Sequence, residues 1–385
     1  MKIIHYCQHV LGMSHFFRSL EIAKALDKEE VLFVAGGERP NQPLPPNVEY
    51  RQLPGLCMNE NFGGLMPTEE GRELEEVKTE RSATLFKIFE EEKPDVFLIE
   101  LFPFGRKAFR FELLPVLDAV KEGRFGDVKV VCSLRDILVE RNDGGKHEAR
   151  VVKYLNKYFD LLLIHADPKI AALDETFQAF KQIEIPCEYT GFAARKPAEN
   201  KRDKIRADLE VSADEKLLIA SAGGGKVGGP LMQATLESFI RLNSEKCRLL
   251  MLSGPFLDDD KYAALCATAK PYKNITIQRF ASDFTDLLTA GDAMISMAGY
   301  NTCMDILTSC IPSAVFPFAQ NHEQRMRAER LAKYIPLKIL DSTDMLIMTT
   351  AISDLLGQNR NRSDHGINLK GANKSADLIR NLRKI

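Results

Sequence analysis

The chain has 385 residues, 45% of them hydrophobic, and a formal net charge of −2. That length suggests two domains with apolar residues enough for two cores, and the near-neutral balance removes the broad basic field that a nucleic-acid partner would call for. The eight cysteines form no C-x-x-C pair and sit within or beside apolar strands, which fits reduced, buried thiols rather than a disulfide framework or a zinc site. No apolar run approaches ~18 residues and Met1 leads directly into a strand, so the chain is expected to be cytoplasmic, neither exported nor membrane-spanning.

Residues 2–7 read as a short strand, and 14–26 as a helix with apolar positions 16, 17, 20, 22, 23 and 26. Between them lies Val10-Leu11-Gly12-Met13-Ser14-His15, a glycine loop without the spacing of a dinucleotide fingerprint or a P-loop. His15 at the helix opening, with Arg18 in the same turn, puts a near-neutral base beside a cation at the C-terminal edge of the first strand, where α/β sheets place their sites. A capping or packing histidine is the alternative. A second strand covers 31–36, a proline-rich crossing 40–54, a long loop 59–72 of the kind that selects an acceptor, and a charged, solvated helix 68–92. After a strand at 95–100, Phe102, Phe104, Phe109 and Phe111 interleave with Arg106, Lys107 and Arg110. That mix suits an acceptor-binding rim, or a contact with a membrane surface or partner, and some of the phenylalanines belong to the core. The strand at 128–133 ends in Leu134-Arg135-Asp136; Asp136 is a candidate to orient His15, to replace it as base, or to cap a helix. Strands at 160–164 and 187–190 complete a first sheet, and 191–197 reads as an interdomain linker.

The second half repeats the strand, loop and helix pattern. A strand at 216–221 runs into Ala222-Gly223-Gly224-Gly225-Lys226-Val227-Gly228-Gly229-Pro230, followed by a helix at 231–242. Five glycines in seven residues let the backbone approach a ligand and turn its N–H groups inward, as a phosphate cradle requires; a flexible hinge is the alternative. Asp258-Asp259-Asp260 precedes an alternating helix and reads as an acidic helix start rather than a metal site. With strands at 249–253, 275–277, 293–296 and 313–316, a parallel sheet of about five or six strands is expected. Between the last two, a helix opens at Met297-Ala298-Gly299-Tyr300-Asn301-Thr302, where a helix's first amides and macrodipole favour an anion. Asp305, six residues past Gly299, is placed to accept hydrogen bonds from ribose hydroxyls, or is a solvated helix residue. A further helix begins near Asn321 and carries Gln324 in its opening turn, and the last helix covers 373–383.

The run from Phe280 through Gly299 and Asp305 to Gln324 is similar, in order and spacing, to the donor half of the two-domain GT-B type glycosyltransferases. In particular it resembles the peptidoglycan (lipid II-forming) UDP-N-acetylglucosaminyltransferase family. The loop and helix from Gly12 to Ala23 resemble that family's first glycine loop, usually Gly-x-Gly-His, with Ser14 in place of the second glycine. The resemblance implies an α/β fold of GT-B architecture, two Rossmann-like parallel-sheet domains facing across a cleft: 1–192 on the acceptor side and 193–385 holding the nucleotide sugar, with the last helix packing back on the first domain. It implies that the backbone at Phe280 and Ala281 meets the uracil, and that Gly299, Tyr300, Asn301 and Thr302 face the diphosphate. It further implies that Asp305, where the family more often has Glu, holds the ribose, and that Gln324 holds the sugar. Gly223, Gly224 and Gly225 would form a second donor loop, His15 and Asp136 the catalytic pair, and Gly12, Ser14, Arg18 and Arg106 the acceptor side.

The expected reaction is inverting, metal-independent transfer of a sugar, GlcNAc or similar, from a UDP-sugar to a hydroxyl of an unidentified glycan, lipid-linked or small-molecule acceptor, with no cofactor. A lipid-linked acceptor would bring a peripheral contact at the inner membrane face. Two alternatives share the architecture: a nucleotide-sugar hydrolase or UDP-GlcNAc 2-epimerase, and a non-catalytic nucleotide-sugar-binding partner subunit.

Overall fold

The computed structural model describes residues 1–8, 14–37, 43–58, 64–138, 143, 145–320, 322–360 and 364–382. It divides into two compact units, Met1–Ala193 with Ile367–Ile385, and Ala194–Gly366.

In unit 1, β1 (Lys2–Tyr6), α1 (Ser14–Ala25), β2 (Glu30–Ala35) and β3 (Val48–Gln52) are followed by a hairpin of β4 (Leu56–Met58) and β5 (Leu65–Pro67). Then come α2 (Leu74–Glu92), β6 (Val96–Glu100), α3 (Arg110–Lys121), β7 (Lys129–Arg135), α4 (Lys146–Tyr158), β8 (Leu161–His165) and β9 (Cys187–Tyr189). The sheet order is β3-β2-β1-β6-β7-β8-β9, with every pairing parallel. β6 and β8 are buried along their whole length, as continuous apolar runs are when helices cover both faces of a sheet. Strand order reverses between β1 and β6, the topological switch point where open α/β sheets leave a crevice at their carboxyl ends.

Unit 2 repeats the design with α5 (Arg202–Asp208), β10 (Lys216–Ser221), α6 (Gly229–Leu242), β11 (Cys247–Leu252), α7 (Asp259–Ala269), β12 (Ile275–Gln278) and α8 (Phe284–Ala290). It continues through β13 (Ala293–Met297), α9 (Tyr300–Ser309), β14 (Ser313–Phe316), α10 (His322–Leu331), β15 (Leu337–Ile339) and α11 (Met345–Leu356). Its parallel sheet runs β12-β11-β10-β13-β14-β15, so its switch point lies between β10 and β13. The last helix, α12 (Gly371–Asn381), belongs to unit 1. Its Ala372, Ala376 and Ile379 pack with Ile22, Ala23 and Leu26 at the end of α1. Arg380 ties it down, donating to the carbonyl of Ala25 at 3.1 Å and pairing with Glu29 at 2.9 Å. Gly371 is required where it stands, because a Cβ there would lie 2.2 Å from the carbonyl oxygen of Gly191.

Several local expectations are corrected. The proline-rich crossing contains β3, an edge strand, and part of the expected long loop pairs as the β4–β5 hairpin, while 59–63 lie outside the described residues. The charged helix begins at Leu74, not 68. Phe102, Phe104 and Phe109 are buried and supply no exposed rim: Phe102 stacks on Tyr154 of α4 with centroids 5.8 Å apart, and Phe104 meets Phe177 edge-on at 5.1 Å. Among the described residues no helix is long and apolar enough to cross a membrane.

Candidate functional site

At the switch point of unit 1, β6 ends in Glu100, whose carboxylate is fully buried. A bare carboxylate there would be costly, and four side chains answer it. His15 Nδ1 lies 2.9 Å from Oε1, Arg18 forms an ion pair with the same oxygen, Ser133 Oγ donates to Oε2 at 2.7 Å, and Ser19 Oγ stands 3.4 Å away. Burial works against the charge, but Arg18, His15 and Ser133 outweigh it and hold the Glu100 carboxyl well below the usual carboxylate range. An ionised carboxylate can only accept, so the proton between His15 and Glu100 sits on Nδ1, although Arg18 also approaches that nitrogen at 3.1 Å. Burial, then the charge of Arg106, lowers the His15 pKa to about 3. The ring is therefore neutral near pH 7, with Nδ1 protonated and Nε2 carrying the lone pair, the tautomer a general base needs. Its side chain keeps 15% of its surface exposed.

The network continues inward: His165 Nε2 is 2.9 Å from Ser133 Oγ, and its Nδ1 is 3.0 Å from Thr190 Oγ1. Beside it, Arg81 and Glu112 form a second buried pair, at 2.6 and 2.7 Å, that also takes in Tyr6 and Gln8. Asp136 is buried just past β7, but the carboxylate on His15 is Glu100, a residue the sequence reading passed over because it looked like the end of a strand. Gly12 lies outside the described residues, as does the side chain of Ser14. Arg18 is brought to His15, and Arg106 lies close enough to shift its titration.

In unit 2, both loops expected to meet the donor sit at the β10/β13 switch point. Gly223 and Gly225 have left-handed backbones, φ 63° and 93°, which favour glycine. Their reasons differ. A Cβ on Gly225 would lie 2.7 Å from the carbonyl oxygen of Ser253, so this glycine serves packing against the loop after β11, whereas one on Gly223 would meet nothing within 4 Å. Gly224 is nearly as open, with only Phe256 at 3.6 Å from such a Cβ. Gly299 caps α9, and Tyr300, Asn301 and Thr302 form its opening turn. Tyr300 is buried with the Arg327 guanidinium over its ring at 5.3 Å, a contact with no sequence signal. Phe280 is 42% exposed, with Ala281 beside it partly so. Gln324 accepts from the Phe318 N–H at 3.0 Å, which fixes its side chain against the end of β14.

Asp305 is not a solvated helix residue. Only 2% of its side chain is exposed, and Arg195 grips both its oxygens, with Nε 3.2 Å from Oδ1 and the terminal nitrogen on Oδ2. Burial pushes the Asp305 carboxyl above its ordinary range while Arg195 pulls it back. Among the acidic triplet, Asp258 pairs with Lys261 at 2.6 Å and Asp259 with Arg279, as at an ordinary helix start.

Residues 223–375 match the glycosyltransferase family 28 C-terminal domain. The chain thus carries a glycosyltransferase domain, and its two Rossmann-like units are the GT-B fold. A search of curated protein sequences finds no match. Among solved structures, the chain is similar over its full length to the calicheamicin glycosyltransferase CalG4, with 15% identity, 97% of that chain covered and a TM-score of 0.60. It is similar to MurG of Acinetobacter baumannii, with 14% identity, 100% of each chain covered and a TM-score of 0.53. It is also similar to a putative UDP-N-acetylglucosamine 2-epimerase of Listeria monocytogenes, with 14% identity, all of this chain and 95% of that one covered and a TM-score of 0.64. At these identities the likeness is one of fold.

Proposed function

We propose that the protein transfers a sugar from a UDP-sugar to an acceptor hydroxyl with inversion, His15 acting as general base. The observation that carries this reading is the His15–Glu100 pair at 2.9 Å on a buried, ionised carboxylate. Glu100 fixes the ring and stabilises the imidazolium that forms when Nε2 takes the acceptor's proton, as the carboxylate of a catalytic triad does. Unit 2 holds the donor: the opening turn of α9 and the Gly223–Gly224 backbone carry the developing diphosphate charge, so no metal is required. Phe280 and Ala281 lie against the base, Gln324 contacts the sugar, and Asp305 contacts the ribose from within its pair with Arg195. GlcNAc is the sugar favoured by the family resemblance, and residues 1–192 and 193–385 divide the acceptor and donor roles.

The test is UDP release by purified protein from a panel of UDP-sugars in EDTA, with and without cell extract. Release that needs extract, survives the chelator and falls about 10²–10⁴-fold in His15→Ala at unchanged UDP affinity is the expected result. Rapid release without extract would make the protein a hydrolase. Conversion of UDP-GlcNAc to its 2-epimer would make it an epimerase, and binding without any turnover a partner subunit.

A further inference from the structure

Four polar side chains interrupt the apolar core of unit 1 in a single row. Glu100 ends β6, Ser133 stands opposite it in register on β7, His165 ends β8 and Thr190 follows β9. All four are buried completely, although Val96–Ile99 and Leu161–Ile164, which lead to two of them, are wholly apolar. A buried polar row is costly unless its members are bonded to one another, and apolar side chains would fill the same places at less risk. Ser133, His165 and Thr190 do not reach solvent, so any part they take in the chemistry passes through Glu100.

The hydrogens give the row a direction. Glu100 is ionised and can only accept, so the Ser133 hydroxyl gives its one hydrogen to Oε2, at 2.7 Å. The Ser133 oxygen then accepts from His165 Nε2, at 2.9 Å. Burial lowers the His165 pKa to about 3, so near pH 7 the ring carries one N–H. That hydrogen lies on Nε2, and Nδ1 accepts from the Thr190 hydroxyl at 3.0 Å. In the opposite order Thr190 would donate to the Gly191 carbonyl, 2.8 Å away, the ring proton would move to Nδ1, and the Ser133 hydrogen would turn from Glu100 to Nε2. That order exchanges a bond to a charged acceptor for one to a neutral acceptor, about half as strong, so the first order holds. Thr190, His165 and Ser133 therefore donate in sequence toward Oε2, which leaves Oε1 to His15 and Arg18.

We propose that Ser133 is a positioning residue for the base and that His165 acts behind it: their aligned hydrogens pin Oε2, fix the turn of the Glu100 carboxylate, and so hold His15 with its proton on Nδ1. This rests on the transferase reading for its consequence in turnover, but the proton positions are a property of unit 1 alone and are read without substrate.

The full chain with nitrogen-15-labelled histidine reports each ring proton by NMR, because protonated and lone-pair ring nitrogens resonate far apart; His15→Ala and His165→Leu assign the two rings. In the parent, His165 should carry its proton on Nε2 and His15 on Nδ1. In Ser133→Ala, His15 should lose its single tautomer and show both. His165→Leu should also show the second His15 tautomer, so the test stands should Ser133→Ala not fold. In Ser133→Ala, UDP release from UDP-GlcNAc with cell extract should fall about tenfold or more, with KM for UDP-GlcNAc within about twofold, since neither residue meets the donor. His165→Leu should give a smaller loss, and His165→Gln, whose amide nitrogen can replace Nε2 as donor, should restore most of it. Added to Ser133→Ala, His165→Leu should cost nothing further in rate, because its effect passes through the missing hydroxyl. A His165 proton on Nδ1 in the parent, an unchanged His15 tautomer in the folded variants, or losses that multiply in the double variant would each overturn the proposal. If the parent releases no UDP from any UDP-sugar, the transferase reading falls, and the ring-nitrogen spectra still decide the positioning.

Discussion

The Arg195–Asp305 pair lies within unit 2, and its removal gives a measurable loss. Arg195→Met keeps most of the apolar stem but leaves a carboxylate with 2% exposure and no cation. Breaking a fully buried pair from one side costs about 3–5 kcal/mol. Arg195 is itself 21% exposed, and the raised pKa of Asp305 lets the carboxyl take up a proton instead of remaining charged, so a loss of about 3 kcal/mol is expected. Urea unfolding followed by far-UV circular dichroism reads it, and the double variant Arg195→Met with Asp305→Leu should recover most of the loss, giving a coupling energy above about 1.5 kcal/mol. Calorimetry with UDP then separates support from recognition: Asp305→Ala should weaken UDP by about 1.5–3 kcal/mol if the carboxylate reaches ribose hydroxyls. An Arg195→Met loss below about 0.5 kcal/mol with no coupling would refute the reasoning and make the pair a solvated contact.

Two further outcomes are expected. UDP at a hundredfold excess over its dissociation constant should stabilise the protein by about 2.7 kcal/mol, and GDP and ADP by less; equal thermal shifts with all three would remove the uridine assignment. Stability should fall on acidification from about pH 6.5 toward pH 4. His5 and His165 are buried, burial first of all depressing their pKa values to about 4 and about 3, so between these values and the ordinary 6.5 the unfolded chain binds protons that the folded chain refuses. His5→Leu should make that decline shallower, and an identical pH dependence in parent and variant would contradict the cause.

The fold class was legible because buried parallel strands read as apolar runs, and Val96–Ile99, Leu161–Ile164 and Leu217–Ala220 are such runs. β3 was not: Val48–Gln52 is a half-exposed edge strand with one buried residue, and prolines precede it. The donor loops were legible by their glycines, but the sequence could not separate Gly225, which is there to clear Ser253, from Gly223, which stands in open space. Pairings across long separations carried no signal at all. Nothing local joins Arg195 to Asp305, 110 positions apart, or His15 to Glu100, 85 apart; the second pair is made by sheet order, which brings the end of β6 beside the helix that follows β1.

That origin also explains why Glu100 rather than Asp136 meets His15. β1 and β6 are neighbours across the switch point, with Tyr6 opposite Ile99 in register, so the residue after Ile99 arrives beside the helix that follows β1. β7, which carries Asp136 past its end, is one strand further away. A carboxylate meant to hold a base at the opening of α1 has to come from the strand next to β1, and on the side away from β2 that strand is β6. The same register places the loop after Glu100, and with it Arg106, within electrostatic reach of His15. Base and orienting acid are therefore consequences of one strand adjacency.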